Sequence, residues 1–159
     1  MRRIAALVLI PAITLACSVD APSAAGPSDA TFARLADADQ GGRLLTAALA
    51  GANEAPRPGD PDGSGTARVT VNAGQAQVCY ELRVAGIAPA RAAHIHEAPA
   101  GTAGPVIIPL RAPNADGMSS GCATVSREFA RELAADPSDY YVNVHNAEYP
   151  GGALRGQLQ

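Results

Sequence analysis

Residues 66–84, with the sequence TARVTVNAGQAQVCYELRV, decide the fold. Polar and apolar side chains alternate over residues 66–72 and again over residues 77–84. A period of two places one face of a strand on a core and the other face in water. Ala73 and Gly74 supply a turn between the two segments. The pattern therefore predicts an antiparallel β-hairpin.

Short segments bounded by glycine or proline continue this pattern along the chain. One helix is predicted after Ser126, whose hydroxyl can cap it, and Pro137 ends that helix. A succession of short strands is typical of an antiparallel sandwich or barrel, so we predict an all-β fold with one short helix. The further strands are predicted at residues 44–49, 91–97, 105–110, 121–125, 140–146 and 153–158.

The composition agrees with a small sheet protein. The 159 residues include 16 glycines and 13 prolines, which predicts many turns. Aromatic residues make up 4% of the chain, so small aliphatic side chains must fill most of the core. The formal net charge is −3 and every cation is arginine, without the basic patch that recruits nucleic acid. We therefore expect no nucleic-acid partner.

The N-terminus predicts export and lipid attachment. Two arginines precede an apolar segment at residues 4–15, which is typical of a secretory signal. Residues 15–17 (LAC) resemble the lipobox of bacterial lipoproteins. We therefore expect residues 1–16 to be a lipoprotein signal peptide and Cys17 to carry the lipid. By the same resemblance, Ser18 after the lipidated cysteine favours the outer membrane of the bacterial cell envelope.

The next segment is predicted to be a tether rather than part of the fold. Residues 17–42 combine Ser, Pro, Ala, Asp and Gly with few bulky apolar side chains, so ordering them would bury little apolar surface. The folded domain is expected at residues 43–159. In this arrangement the membrane is a partner through the lipid anchor alone.

Two further cysteines, Cys79 and Cys122, lie in the predicted domain. An exported protein enters an oxidising compartment, where a disulfide between them is the simplest expectation. The alternative is two separate buried thiols. Their spacing fits neither a zinc knuckle nor a redox C-x-x-C motif.

Six motifs of the predicted domain point to a family. They are GANEAP (51–56), CYEL (79–82), AHIH (93–96), GTAGPV (101–106), YVNVH (141–145) and YPGGALRGQL (149–158). Together they resemble the chordin (CHRD) domain family over about residues 44–158. The resemblance implies an extracytoplasmic, immunoglobulin-like β-sandwich that is weakly similar to copper/zinc superoxide dismutase and has no settled activity. Four residues of these motifs, Glu54, Tyr141, Asn143 and Arg155, are interpreted as a structural motif.

All three histidines of the chain, His94, His96 and His145, fall within these motifs. Residues i and i+2 of a strand share a face, so the first two imidazoles can converge on one metal ion while Ile95 faces the core. With His145 from a neighbouring strand, they would form an open site for copper or zinc. Glu97 or Glu148 could complete it. The alternative is that these imidazoles hydrogen-bond loop carbonyls and organise turns without a metal.

Two hypotheses for function follow. The first is a lipid-anchored, non-enzymatic envelope module that binds another envelope or extracellular protein, or a glycan. The second is a copper- or zinc-binding protein, with a superoxide-dismutase-like reaction as its furthest extension, that uses the three histidines. The chain has no P-loop or H-E-x-x-H motif, which removes the commonest nucleotidase and zinc-peptidase schemes.

Overall fold

The computed structural model describes residues 41–159 of the chain. The predicted signal peptide, Cys17 and nearly all of the predicted tether lie outside the described residues. Within residues 41–159, no helix combines the length and the apolar character that crossing a bilayer requires.

The described residues form eight strands and one α-helix. The strands are β1 (Arg43–Ala50), β2 (Ser64–Asn72), β3 (Gln77–Ala85), β4 (Ala90–Glu97), β5 (Val106–Leu110), β6 (Met118–Thr124), β7 (Tyr140–Asn146) and β8 (Leu154–Gln157). The helix α1 spans Arg127–Ala135, and single 3₁₀ turns occupy Gly51–Asn53 and Pro137–Asp139.

The strands form one antiparallel sheet in the order β5-β4-β7-β8-β1-β2-β3-β6. The sheet curls into a nearly closed barrel, so its inner face surrounds a single core. Arg111, which directly follows the edge strand β5, donates its amide to the Tyr80 hydroxyl of β3 at 2.8 Å and also contacts the other edge strand, β6. Nearby, the Ser119 hydroxyl donates to the Arg111 carbonyl at 2.7 Å. The predicted all-β class with one short helix is confirmed.

The predicted hairpin is formed by β2 and β3. Val69 pairs with Tyr80 and Thr70 pairs with Cys79, with the turn at residues 73–76 between the strands. The alternate residues of both strands that face inward are at most 4% exposed, as the period of two predicts. They are Ala67, Val69, Val71, Val78, Tyr80 and Leu82.

The helix has the predicted boundaries. The Ser126 hydroxyl accepts a hydrogen bond from the Phe129 amide at 3.0 Å, so it caps one of the amides that would lack a partner in the first turn. Leu133 is fully buried against the barrel core, and the helix ends two residues before Pro137. The amphipathic face therefore closes one end of the barrel.

Some strands are longer than predicted, because pairing extends beyond the alternating segments. Strand β6 begins at Met118 instead of residue 121, where it pairs with Arg83 of β3. The Asn114 side chain accepts hydrogen bonds from the amides of Asp116 and Met118, so it forms the tight turn that starts β6 three residues early. Strand β2 likewise begins at Ser64, which pairs with Ala85.

A disulfide joins Cys79 and Cys122, which lie directly opposite each other on β3 and β6. It ties the edge strand β6 to the rest of the barrel. The predicted disulfide is therefore present, and the alternative of two separate thiols is wrong.

We predict that removing this bond destabilises the domain substantially. The two cysteines are 43 residues apart, and closing a loop of that length lowers the entropy of the unfolded chain by an amount worth about 4 kcal/mol. Urea unfolding of the Cys79→Ala/Cys122→Ala protein should show a loss of this order. Alkylation without reductant should leave both positions unlabelled in peptide maps, and labelling of both would contradict the assignment.

Candidate metal centre

The three histidines project from the outer face of the sheet. On β4, Ile95 is fully buried in the core, whereas His94 and His96 point to the opposite face. On β7, Val142 and Val144 line the core, so the alternate residues at positions 141, 143 and 145 lie on the same outer face as the histidines. Both facing predictions are confirmed.

Register brings the imidazoles of the two strands together. His94 lies opposite Asn143 and Ala92 lies opposite His145, which makes His94 and His145 diagonal neighbours. The His94 Nδ1 and His145 Nε2 atoms are 3.1 Å apart. One ring nitrogen from each of the three histidines lies within 4.8 Å of the other two.

Backbone carbonyls fix which nitrogen carries the proton in two of the rings, those of His96 and His145. His96 Nδ1 lies 2.9 Å from the Gly104 carbonyl and His145 Nδ1 lies 3.1 Å from the Pro150 carbonyl. A carbonyl only accepts, so both Nδ1 atoms carry the proton and both Nε2 atoms present a lone pair. His94 Nδ1 then donates to His145 Nε2 in the metal-free protein. A metal ion between the rings would therefore take the Nε2 lone pairs of His96 and His145, and the His94 proton would have to move from Nδ1 to Nε2 for that ring to bind as well.

The environment keeps two of the imidazoles neutral. Burial lowers the pKa of His94, and the neighbouring His96 lowers it further. Burial also lowers the pKa of His145, with a further contribution from His94, although the hydrogen bond to the Pro150 carbonyl acts in the opposite direction. A neutral imidazole is the form that binds metal, so the cluster is ready for a cation near neutral pH.

The spacing of the nitrogens suits one small transition-metal ion. Two nitrogens 3.1 Å apart, each bound at about 2.05 Å, subtend an angle of ~100° at the metal, between square-planar and tetrahedral values. Two nitrogens bound to one metal can be at most ~4.1 Å apart, so a separation of up to 4.8 Å needs only a small adjustment of the rings.

The fourth ligands proposed from the sequence are not part of the cluster. Among the described residues, only His94, His96 and His145 form the metal-competent group, and Glu97 and Glu148 are exposed outside it. Glu97 alternates with His96 along β4, which turns its side chain away from the histidines. A metal held here would have three protein ligands and an open position.

Glu54 occupies a second part of the outer face. Its Oε2 atom accepts from the Asn143 side chain at 3.1 Å, while its Oε1 atom is buried without a partner. Gly152 lies against this carboxyl group so closely that a Cβ atom there would stand 2.5 Å from both oxygens. Burial raises the pKa of Glu54 to about 7, although the Asn143 hydrogen bond and the charge of Arg155 each lower it.

A cleft of about 370 Å³ opens beside this carboxyl group, and Arg57 and Glu148 also line it. It reaches Pro150, whose carbonyl holds His145.

Arg155 is buried beneath the loop that follows β4. It is 1% exposed and donates to the carbonyls of Pro99 at 2.9 Å and Thr102 at 2.8 Å. Its guanidinium carbon lies 3.5 Å from the centre of the Tyr141 ring. The four residues interpreted as a structural motif thus all lie on this face, where Arg155 and Tyr141 form one contact and Glu54 and Asn143 another.

Two groups of the site belong to the backbone, so no side-chain pattern in the sequence indicates them. They are the carbonyls of Gly104 and Pro150, which orient His96 and His145. A glycine-proline pair at residues 104–105 and a proline-glycine pair at 150–151 indicate turns at these positions, but backbone carbonyls have no sequence pattern of their own.

We predict that Glu54→Gln changes how stability depends on pH. The folded pKa of Glu54 is about 7 and its ordinary value is 4.5, so the folded wild type holds this proton more tightly than the unfolded chain. The contribution of Glu54 is therefore favourable below the ordinary value and is lost as pH rises through 7. The glutamine variant lacks this loss. Measured in urea, the stability of the variant relative to wild type should be greater at pH 8 than at pH 4.5. An equal stability difference at both pH values would refute the role of burial.

Comparison with known proteins identifies the domain. The model of the CHRD domain matches residues 45–158, which is nearly all of the described region. No curated protein and no solved structure matches the chain. The matched residues contain all three histidines and every strand from β2 to β8. The chain belongs to the CHRD domain family.

Proposed function

We propose that this CHRD domain binds one transition-metal ion, copper or zinc, through His94 Nδ1, His96 Nε2 and His145 Nε2. The observation that carries the proposal is His96 Nε2, which is buried and has no hydrogen-bond partner. A buried polar atom without a partner is costly, and a metal ion would satisfy it. The same ring is held by its other nitrogen, as is typical of metal-ligating histidines.

The donor set favours copper over zinc in affinity. Imidazole suits both ions, and Cu²⁺ stands above Zn²⁺ in the stability order of divalent metals. Three neutral nitrogens leave a bound divalent ion with its positive charge and an open position for water or a small ligand. The proposal concerns binding; a superoxide-dismutase-like reaction is a further hypothesis that needs a redox-active ion in this position.

A second candidate function is a binding module for an envelope protein or glycan. It is supported by an apolar groove of about 630 Å³ at one end of the barrel, lined by Val84, Ile87, Pro89 and Pro113 among others. None of the three histidines lines this groove, so the two functions are compatible.

The proposed location is the bacterial cell envelope, with the domain tethered to the outer membrane through lipid on Cys17. The support is the sequence of residues 1–17, where an apolar segment precedes the LAC motif. A protein anchored in this way meets an oxidising compartment, which agrees with the disulfide between Cys79 and Cys122.

We expect the purified, chelator-treated chain to bind about one equivalent of Cu²⁺ or Zn²⁺ in a calorimetric titration. His96→Ala and His145→Ala each remove one ligand, so affinity should fall by more than ~100-fold, beyond the effect of changing an outer-shell partner. Circular dichroism would verify that both variants remain folded.

Glu148→Ala is the matched control, because Glu148 is exposed near the site but lies outside the histidine cluster. This variant should bind like wild type. Wild-type binding no tighter than that of His96→Ala would contradict the proposed metal site and leave the binding-module hypothesis in its place.

The anchor has a separate test in a bacterial expression host. Cys17→Ser should abolish incorporation of a radiolabelled fatty acid, because the acceptor sulfur is gone, and the protein should leave the membrane fraction or retain its signal peptide. Ser18→Ala serves as the control and should still be labelled. Unchanged labelling of the Cys17→Ser protein would overturn the lipoprotein assignment.

A further inference from the structure

Three side chains form a continuous stack on the outer face of the barrel. The Tyr141 ring lies parallel to the His96 ring, with 4.8 Å between centroids and 12° between planes. The guanidinium of Arg155 lies 3.5 Å from the centre of the same tyrosine ring. Strand β7 runs between β4 and β8, so Tyr141 lies between the histidine on one side and the arginine on the other.

One residue of the loop after β4 fixes two members of this stack. The Gly104 amide donates to the Tyr141 hydroxyl at 3.1 Å, and the Gly104 carbonyl accepts from His96 Nδ1 at 2.9 Å. A Cβ atom at position 104 would lie 1.9 Å from the Glu97 carbonyl oxygen, so glycine is required for this approach. The loop therefore sets both the tilt and the rotation of the imidazole.

The third member of the stack holds the same loop. Arg155 donates to the carbonyls of Pro99 and Thr102, on the segment between Glu97 and Gly104. The buried guanidinium thus packs against the tyrosine ring and also hydrogen-bonds the loop after β4. These contacts leave the His96 ring few alternative positions, because the residue is 8% exposed and one face of its ring packs on Tyr141.

We propose that Tyr141 is a positioning residue for the metal ligand His96, and that Arg155 holds Tyr141 in place. This inference rests on the proposed metal-binding function. Stacking and the Gly104 bridge keep His96 in the Nδ1–H tautomer with Nε2 directed at the other two histidines. His96 then binds the metal without reorienting. Without the stack, metal binding would also have to order the His96 ring, which lowers affinity.

The test compares wild type with Tyr141→Leu and Tyr141→Phe. Phenylalanine keeps the aromatic face against His96 and loses only the hydroxyl, whereas leucine removes the stack. Calorimetric titration with Cu²⁺ should give an affinity within about threefold of wild type for Tyr141→Phe and a 10- to 100-fold loss for Tyr141→Leu. Because phenylalanine also fills the space of tyrosine, the tautomer of the His96 ring is the readout that separates positioning from packing. Equal affinity of wild type and Tyr141→Leu would overturn the proposal.

A second readout does not depend on metal. Long-range ¹H–¹⁵N spectra of the metal-free proteins should show a single Nδ1–H tautomer for His96 in wild type and Tyr141→Phe, and a mixture in Tyr141→Leu. An unchanged single tautomer in Tyr141→Leu would refute the positioning role even if affinity fell. If wild type binds no metal, the proposed function fails, and these spectra still decide whether Tyr141 positions the ring.

The wild-type protein alone provides a check if Tyr141→Leu does not fold. In the Zn²⁺-loaded chain, His96 should coordinate through Nε2 and retain its Nδ1 proton, with the Gly104 amide still bonded to Tyr141. Coordination through Nδ1, or loss of that proton, would show that the ring turns on binding and would overturn the proposal.

Discussion

The buried guanidinium of Arg155 is the constraint on which the outer face of the barrel depends. A charge that is 1% exposed must satisfy its donors within the protein, and here it does so with two loop carbonyls, the Gln157 side chain and the face of Tyr141. These contacts hold the loop after β4 against the sheet. They make a second, polar layer outside the apolar barrel core, and the histidines belong to that layer.

The polar layer explains why three imidazoles can lie close together without a neighbouring carboxylate. Burial favours the neutral forms of His94 and His145 by lowering the pKa of each, and loop carbonyls accept from the proton-bearing nitrogens of His96 and His145. His94 Nδ1 then donates to the His145 Nε2 lone pair, and the His96 Nε2 lone pair faces the same small space without a partner. Such an arrangement is poor as a hydrogen-bonded cluster, because one buried Nε2 atom stays unpaired, and it is well suited to a cation.

The alternation of polar and apolar residues predicts many of the strands, but it does not predict the contacts of the polar layer. Alternation in residues 66–84 predicts the β2–β3 hairpin, and the His-Ile-His spacing predicts which side chains of β4 share a face. The Glu54–Asn143 hydrogen bond joins residues 89 positions apart, and pairing of strands by register, rather than any motif, brings them together. Carbonyls of the loop after β4 satisfy Arg155, and backbone groups of a loop without a regular pattern carry no sequence signal.

The most direct test of the metal centre is anomalous diffraction from crystals of the chain grown with Cu²⁺, measured on both sides of the copper absorption edge. The account predicts one dominant anomalous peak at ~2 Å from His94 Nδ1, His96 Nε2 and His145 Nε2. A peak elsewhere, or an ordered histidine cluster without one at saturating copper, would contradict it.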